Sequence, residues 1–329
     1  MRRTLSLVII KSILIMSIAV PFVGCGGGGG GGGAGSTTYS GLKTQTNIDQ
    51  ENARYILENA YSGGILGSSM IFPISAIDVG ELQRNEPHSS RNLALLILGL
   101  SKKFTGYEGT QIPSTASAVQ TESINESGDC GGKVTGRIQV DDSTGSMSGN
   151  LTFDNYNDCE LVLNGAVSFS GQIDILSENL SMTMTYRNLS VVMSEEIDAI
   201  MSGTIYYAED TDMSSTWIMD YYLRDNISGD SFLFEDYTET TVRFYKVSQV
   251  VVSGRFYCSD YGYVDLFTEE ALVILDDEEY PSYGRIRAEG DNNSMAWLEF
   301  FNANSYIVYV DEDGDGFLDY NSVALYWDN

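Results

Sequence analysis

Histidine is nearly absent from this chain: His88 is the single one among 329 residues. It follows Pro87 in a polar stretch that predicts a loop, and no serine lies in a GxSxG motif. Serine and cysteine hydrolases use a histidine to activate their nucleophile, so we expect no such catalysis here. A glycoside hydrolase needs only two carboxylates, but the sequence does not single out a pair. Glycoside hydrolysis is therefore the least favoured function considered below.

Cysteine is also scarce, with four residues and neither a CxxC nor a CxxCH motif. Their absence excludes a c-type haem and argues against a thioredoxin-like redox centre or a cysteine zinc site. In an oxidising compartment, Cys130, Cys159 and Cys258 would form one disulfide and leave one thiol. Cys130 and Cys159 are close in sequence and flank predicted strands, so we expect that pair, with Cys258 buried as a small apolar residue.

Basic residues are few: 18 lysines and arginines face 46 aspartates and glutamates, a formal net charge of −28. Such a protein should repel nucleic acid and anionic headgroups and attract divalent cations. Acidic composition can also indicate disorder, but 21 tyrosines, 13 phenylalanines and 3 tryptophans favour a packed protein. The oligomeric state is left open.

One apolar run is long enough to cross a bilayer, from Leu5 to Val23, and Arg2 and Arg3 precede it. Lys11 interrupts this run, and Gly24 and Cys25 end it where a processing site belongs. A basic start, a short apolar core and small residues at its end predict a signal peptide over residues 1–24. A retained transmembrane anchor is the alternative.

The stretch Phe22-Val23-Gly24-Cys25 resembles the lipobox of bacterial lipoproteins. That resemblance implies cleavage before Cys25 and a lipid attached to its sulfur. By the same resemblance, Gly26 after the cysteine implies sorting to the outer membrane, on either the periplasmic face or the cell surface. Eight consecutive glycines and a polar stretch follow, and we predict a flexible tether over residues 25–46.

Residues 47–104 are predicted to be a helical segment. Asn47 is the expected N-cap of a first helix, with Gln50 completing a capping box, and Gly63-Gly64 is expected to end it. A second helix is predicted from Arg91 to Phe104, buried through its apolar Leu93–Leu100 stretch. The first helix should bury one face, formed by Ala53, Ile56, Leu57, Ala60 and Tyr61.

Residues 105–131 are polar and predict a linker or long loop, and residues 132–329 predict an antiparallel β domain. Short alternating runs follow one another there without helical patterns, which implies hairpins. The predicted fold class is mainly β. It is a large, strongly curved antiparallel β-meander, barrel-like or a sandwich, with two N-terminal helices packed against it.

One pattern recurs six times in the β region: an apolar residue, Ser, Thr or Asn, glycine, any residue, apolar, any, apolar. The copies centre on Gly136, Gly149, Gly165, Gly171, Gly203 and Gly254. Residues two apart in a strand share a face, so each glycine should lie on the buried face. Glycine there favours a bent sheet with a groove along its inner side, which the Leu93–Leu100 helix could fill. The alternative is that these are ordinary glycines near strand starts.

The sharpest chemical motif runs from Asp311 to Asp319, with carboxylates at alternate positions and glycine at the sixth. Calcium takes six to eight oxygen ligands, and such a loop can supply several of them. Position twelve is Ser322 instead of the glutamate of an EF-hand, and the flanking residues alternate like strands. The motif is similar to the DxDxDGxxD calcium hairpins of integrin-type propellers. That resemblance implies side-chain ligands from Asp311, Asp313, Asp315 and Asp319, a backbone carbonyl ligand from Phe317, and a structural calcium ion.

These patterns predict a membrane-anchored, calcium-stabilised binding or structural lipoprotein of the cell envelope, without catalysis. A carrier of a lipid or another apolar ligand in a curved-sheet cavity is the alternative. The expected partners are the outer membrane, through the lipid anchor, and an apolar ligand or an envelope protein.

Overall fold

The computed structural model of this chain describes residues 39–69, 119–141, 143–157, 159, 161–173, 179–193, 197–211, 213–275, 278 and 280–327. The chain divides into two compact units. We call Gly67–Asp212 the meander unit, and Met1–Leu66 with Met213–Asn329 the helix unit.

The meander unit contains six strands, each paired antiparallel with the next along the chain. They are β1 (Val119–Gly128), β2 (Gly131–Asp141), β3 (Ser146–Asn157), β4 (Leu161–Ile173), β5 (Leu180–Met193) and β6 (Ile197–Thr211). Alternate residues are buried, as in Val134, Ile138 and Val140 of β2. This period of two gives the unit one apolar face and one polar face.

Strand β1 lies in the segment that was expected to be a linker or long loop, residues 105–131. Its residues Thr121, Ser123, Asn125 and Glu126 are exposed, and only β2 pairs with it in the described strands. An edge strand of this kind has no apolar alternation, because neither face is buried. The hydrophobic pattern therefore gave no sign of it. Residues 105–118 lie outside the described residues.

The helix unit contains most of the helix α1 (Ala53–Ser69) and nine strands. The strands are β7 (Ser214–Asp225), β8 (Ser231–Phe244), β9 (Val247–Cys258), β10 (Gly262–Leu275), β11 (Tyr283–Glu289), β12 (Met295–Asn302), β13 (Ser305–Asp311), β14 (Tyr320–Asn321) and β15 (Leu325–Tyr326). Strands β7 to β14 pair antiparallel in sequence order, and β15 pairs with β13. The predicted mainly β, antiparallel class is confirmed, and β7 and β13 do not pair with each other among the described strands.

The expectation of two N-terminal helices is met by one helix in the described part of the chain, α1. The second expected helix, Arg91 to Phe104, lies outside the described residues. No helix within the described ranges is long and apolar enough to cross a bilayer.

The start of α1 is capped two residues later than predicted. Asp49 Oδ1 accepts the backbone N–H of Asn52 at 3.0 Å, and Asn52 Oδ1 accepts the backbone N–H of Asp49 at 3.0 Å. This reciprocal pair is a capping box that uses Asn52 where Glu or Gln is usual. The predicted box of Asn47 and Gln50 is wrong, because the Gln50 N–H donates to the carboxylate of Glu312 instead.

The predicted buried face of α1 is confirmed, with Ile56, Leu57 and Ala60 each 1–2% exposed. Tyr61 packs against the rings of Phe300 and Trp327 at 5.1 and 5.6 Å between centroids. Strand β7 also reaches the helix, since the Tyr221 hydroxyl donates to the Gly63 carbonyl. Strands at both ends of the β7–β13 series therefore contact the same helix, because Tyr306 of β13 donates to Glu58.

Gly63 and Gly64 do not end α1, contrary to expectation, because the helix continues to Ser69. A Cβ on Gly63 would lie 2.2 Å from the Phe234 ring, and one on Gly64 would lie 2.2 Å from the Tyr237 hydroxyl. The two glycines let the helix backbone approach these aromatic rings. Close packing against the sheet, not helix termination, explains their presence.

Three of the six glycines in the recurring pattern, Gly165, Gly203 and Gly254, lie at or beside β-bulges. The other three pair in regular register. Asn188 of β5 has φ 48° at a register shift, and Gly165 of β4 opposite it has φ 125°. A Cβ on Gly165 would lie 2.4 Å from the Asn188 carbonyl oxygen. Asp236 of β8 and Gly254 of β9 repeat this arrangement in the helix unit. Bulges bend and twist a strand, and glycine supplies the backbone angle and the space they require.

The last part of the predicted tether is packed against the helix unit. Tyr39 is 8% exposed, with its ring 5.7 Å from that of Tyr257. The Thr46 N–H donates to the Tyr263 carbonyl at 2.9 Å, and the Tyr263 N–H donates to the Thr44 carbonyl at 3.0 Å. Residues 39–46 thus belong to the folded body. Residues 25–38 lie outside the described residues.

Candidate metal centre

The acidic motif of the sequence forms the loop between β13 and β14. Val310 pairs with Tyr320, and the Asp319 N–H donates to the Val310 carbonyl at 2.9 Å. The two strand ends hold Asp311 and Asp319 at opposite ends of a short hairpin. This is the strand–loop–strand context expected from the alternating residues on either side.

Asp311 is the buried anchor of this loop, with 1% of its surface exposed. Its Oδ1 accepts the Gly314 N–H at 2.8 Å, and its Oδ2 accepts the Gly316 N–H at 3.0 Å. Both oxygens keep a second lone pair, because a carboxylate has about four acceptor sites. Asp311 can therefore shape the loop and still ligate a cation.

Asp313 and Asp315 complete a group with Asp311. One carboxylate oxygen of each lies within 4.8 Å of the others, which is close enough to share one metal ion. Asp313 Oδ1 also accepts the Asp315 N–H at 3.2 Å, and Asp315 Oδ1 accepts the Phe317 N–H at 2.8 Å. Successive carboxylates thus turn back onto the backbone and bring their oxygens to one side of the loop.

The other two predicted ligands are placed differently. Asp319 is exposed, lies outside the group of three, and its Oδ2 accepts the Glu312 N–H at 2.8 Å. Phe317 has a side chain 76% exposed, and its backbone N–H is the donor to Asp315. The structure therefore groups three of the four predicted carboxylate ligands and sets Asp319 at the closure of the loop.

The chemistry of these groups fits a hard divalent cation. Three carboxylates at this separation repel one another, and no described lysine or arginine pairs with any of them. Oxygen ligands alone suit calcium better than zinc or copper. With a calcium ion bound, Asp311, Asp313 and Asp315 would hold it, and the ion would supply the opposing charge that the loop lacks.

Sequence reasoning missed the contacts that tie this loop to the rest of the helix unit. Glu312 Oε1 accepts the Gln50 N–H at 3.0 Å, just before α1. On its other side, a Cβ on Gly314 would lie 2.6 Å from Cβ of Asn293, in the 3₁₀ turn Asp291–Asn293. Glu312 is the one feature of the motif that hints at these contacts, because it lies between the alternating aspartates that are the predicted ligands.

The other residues singled out in the sequence are the cysteines and the single histidine. Cys130 and Cys159 form a disulfide with Cα atoms 4.9 Å apart, the pairing that the sequence favoured. Cys258 is a free, buried cysteine. Cys25, the predicted lipidation site, and His88 lie outside the described residues.

No family model, curated protein or solved structure matches this chain.

Proposed function

We propose that this chain is a lipid-anchored, calcium-stabilised binding or structural protein of the bacterial outer membrane, without catalytic activity. The observation that carries the calcium assignment is the buried Asp311 carboxylate, which accepts two loop N–H groups beside two further carboxylates. The Phe22–Cys25 lipobox resemblance supports the anchor. The proposed location of the folded body is the periplasmic face of that membrane or the cell surface.

In this proposal calcium stabilises the helix unit by holding the β13–β14 hairpin closed. Without a cation, repulsion among Asp311, Asp313 and Asp315 opposes closure of the β13–β14 hairpin. With a cation, the closed loop presents Glu312 to the Gln50 N–H at the start of α1. Calcium binding should therefore stabilise the helix and its sheet together.

The proposed fold is a strongly curved sheet in the helix unit, wrapped around α1. Contacts of α1 with Tyr221 of β7 and Tyr306 of β13 support it, because those strands are far apart in the series. Beneath α1 the space is occupied by rings, with Phe234 against Gly63 and Phe300 against Tyr61. This filling favours a structural or binding function over the carrier alternative, which needs an apolar cavity there.

Calcium removal tests the proposal. We expect chelator to lower the melting temperature of the purified chain, calcium to restore it, and magnesium to be less effective. A ligand at 100 times its Kd stabilises the folded state by about 2.7 kcal/mol. Asp311→Asn should abolish both calorimetric calcium binding and the shift. The control Asp260→Asn removes an exposed carboxylate outside the loop and should keep both.

Equal melting temperatures with and without chelator, together with no calcium binding by calorimetry, would refute the calcium assignment. The anchor is tested separately by metabolic labelling with a palmitate analogue. We expect Cys25→Ala to lose the label and to leave the membrane fraction. A labelled Cys25→Ala protein would remove the anchor from the proposal and leave the calcium site in place.

A further inference from the structure

The meander unit has an open groove of about 530 Å³ at one end of its strands. The groove is bounded by the start of β1, the turn between β2 and β3, and the facing ends of β4, β5 and β6. All of its lining residues belong to this one unit. Neither the calcium assignment nor the lipid anchor makes use of it.

A row of polar side chains crosses five strands on the outward face and enters the groove. The row is Gln139, Ser148, Ser170, Thr183 and Tyr206, each paired with the next across neighbouring strands. Adjacent strands lie about 4.8 Å apart, so the row is about 19 Å long. It offers hydrogen-bonding groups at regular intervals, with an aromatic ring at one end.

These hydroxyls have free hydrogen-bonding capacity. Ser148, Ser170 and Thr183 make no side-chain hydrogen bond within the described residues, and neither does Ser181 in the neighbouring row of the groove. Each hydroxyl can donate one hydrogen bond and accept two. The strand backbone is already paired in the sheet, so a ligand would be held by side chains and not by strand addition.

The charge of the groove disfavours anionic ligands. Asp141 is the one charged residue among the described lining residues, and hydrogen bonds from Ser143 hold the pKa of the Asp141 carboxyl below its usual range. Since none of these described residues is a lysine or arginine, they offer no cation to pair with phosphate, sulfate or uronic acid groups. The negative charge of the whole chain also repels anionic polymers.

The polar side chains of the row favour a polyhydroxylated ligand, and Val119, Val140, Met147 and Met182 line the groove beside them. Serine, threonine and glutamine would lose hydration without compensation if a lipid tail covered them. Tyr206 is 36% exposed and can stack its ring on the C–H face of a sugar. Hydroxyl and amide groups can exchange hydrogen bonds with sugar hydroxyls along the row.

We propose that this groove binds a neutral oligosaccharide chain, with Tyr206 as the stacking residue and Ser148, Ser170 and Thr183 as hydrogen-bonding residues. The inference rests on the proposed binding function and names its ligand class. An envelope protein with such a groove would hold neutral glycan at the membrane surface.

Affinity electrophoresis tests this proposal with the full chain in mild detergent. The gels contain dextran, mannan or laminarin as neutral polysaccharides, or alginate as the anionic one. We expect at least one neutral polysaccharide to retard the protein and alginate to leave its mobility unchanged. Tyr206→Ala should raise the Kd for that polysaccharide about tenfold, and Thr183→Val should raise it about threefold.

The matched control is Tyr245→Ala, because Tyr245 is 90% exposed in the β8–β9 turn of the helix unit. It should bind as the wild type does, and far-UV circular dichroism should show all three variants folded. No retardation by any neutral polysaccharide, equal retardation by alginate, or unchanged binding by folded Tyr206→Ala would overturn the proposal. None of these results would alter the chelator experiment, so failure here is distinguishable from failure of the calcium assignment.

Discussion

The two units build the same antiparallel meander from different interior residues. In the helix unit the buried face is strongly aromatic, and rings such as Phe234, Tyr237 and Phe300 meet a helix whose glycines admit them. In the meander unit the buried face is richer in methionine, with Met147, Met182, Met184 and Met201 among its residues. Rigid rings specify one packing arrangement, whereas methionine adapts to irregular space.

The outward faces differ as well. On the helix unit, Arg255, Arg285 and Arg287 form ion pairs with glutamates and an aspartate on neighbouring strands, and Arg287 also pairs with Glu289 of its own strand. On the meander unit, the row from Gln139 to Tyr206 has no charged side chain. The charged groups of an ion-paired face already have partners, while uncharged hydroxyls remain available to a ligand. The row on the meander unit is therefore the one of these two surfaces that the glycan proposal uses.

Loss of the disulfide should give the largest difference in stability between the two units. The bond closes a loop of 29 residues by sequence separation and lies in the meander unit. Its removal should cost about 3 kcal/mol of unfolding free energy. All three tryptophans, Trp217, Trp297 and Trp327, lie in the helix unit. We expect Cys130→Ala/Cys159→Ala to lower a urea transition followed by circular dichroism while leaving the tryptophan fluorescence transition in place.

The control for that experiment is Cys258→Ala, which removes the free thiol of the helix unit and keeps the disulfide. It should shift the fluorescence transition more than the circular dichroism transition. This shift should be smaller than the one caused by loss of the disulfide. Equal shifts of both probes in the disulfide variant would show that the chain unfolds as one cooperative body, and the comparison of two units would then hold for packing but not for stability.

A smaller effect is expected from Gly63→Ala in α1. At an unobstructed position inside a helix, alanine in place of glycine would stabilise by up to about 1 kcal/mol. Because its Cβ would lie 2.2 Å from the Phe234 ring, we expect a loss of about 1–3 kcal/mol instead. Tryptophan fluorescence during urea unfolding measures this change in the helix unit.

Two further variants sharpen the test of close packing. Ser62→Ala, at the neighbouring helix position, removes a buried hydroxyl without a partner and should not destabilise the protein. Gly63→Ala combined with Phe234→Leu should lose less than the sum of the single changes, because the smaller side chain makes room. Additive losses would indicate that the ring is not what makes alanine unfavourable.

Features of the fold were predictable from the sequence when they depend on residues that are close together along the chain. Alternation along strands and the apolar spacing of Ile56, Leu57 and Ala60 are local, so the antiparallel class and the buried helix face were predictable. The 39–46 segment and the continuation of α1 through Gly63 depend on partners such as Tyr257, Tyr263 and Phe234, which are distant in sequence. Local propensity cannot report such contacts.

The candidate site follows the same rule. The grouping of Asp311, Asp313 and Asp315 was predictable, since the alternating spacing and Gly316 are enough to curl the loop. The link from Glu312 to Gln50 was not, because it joins residues 262 positions apart. The glycines of the bulge pairs recur in a sequence pattern, but their partners on the neighbouring strand, Asn188 and Asp236, share no such pattern.

The smallest expected effect concerns Glu58, a buried carboxylate of α1 that accepts the Tyr306 hydroxyl and pairs with Arg54 at 2.6 Å. Burial raises the pKa of Glu58, and the hydrogen bond and charge of Arg54 oppose that rise. A raised folded-state pKa means that folding takes up a proton. The stability from this group is therefore fully present below the unfolded-state pKa and is lost as pH rises through the folded-state pKa.

Glu58→Gln removes this titration and keeps an oxygen that can accept the Tyr306 hydroxyl. We expect the unfolding free energy of the variant, relative to the wild type, to increase as pH rises from the unfolded-state pKa through the raised folded-state pKa of Glu58. Glu51→Gln, at an exposed position before the same helix, should show no such slope in tryptophan-monitored urea unfolding. A flat or falling difference for Glu58→Gln would mean that the hydrogen bond and charge of Arg54 outweigh the burial of the Glu58 carboxylate.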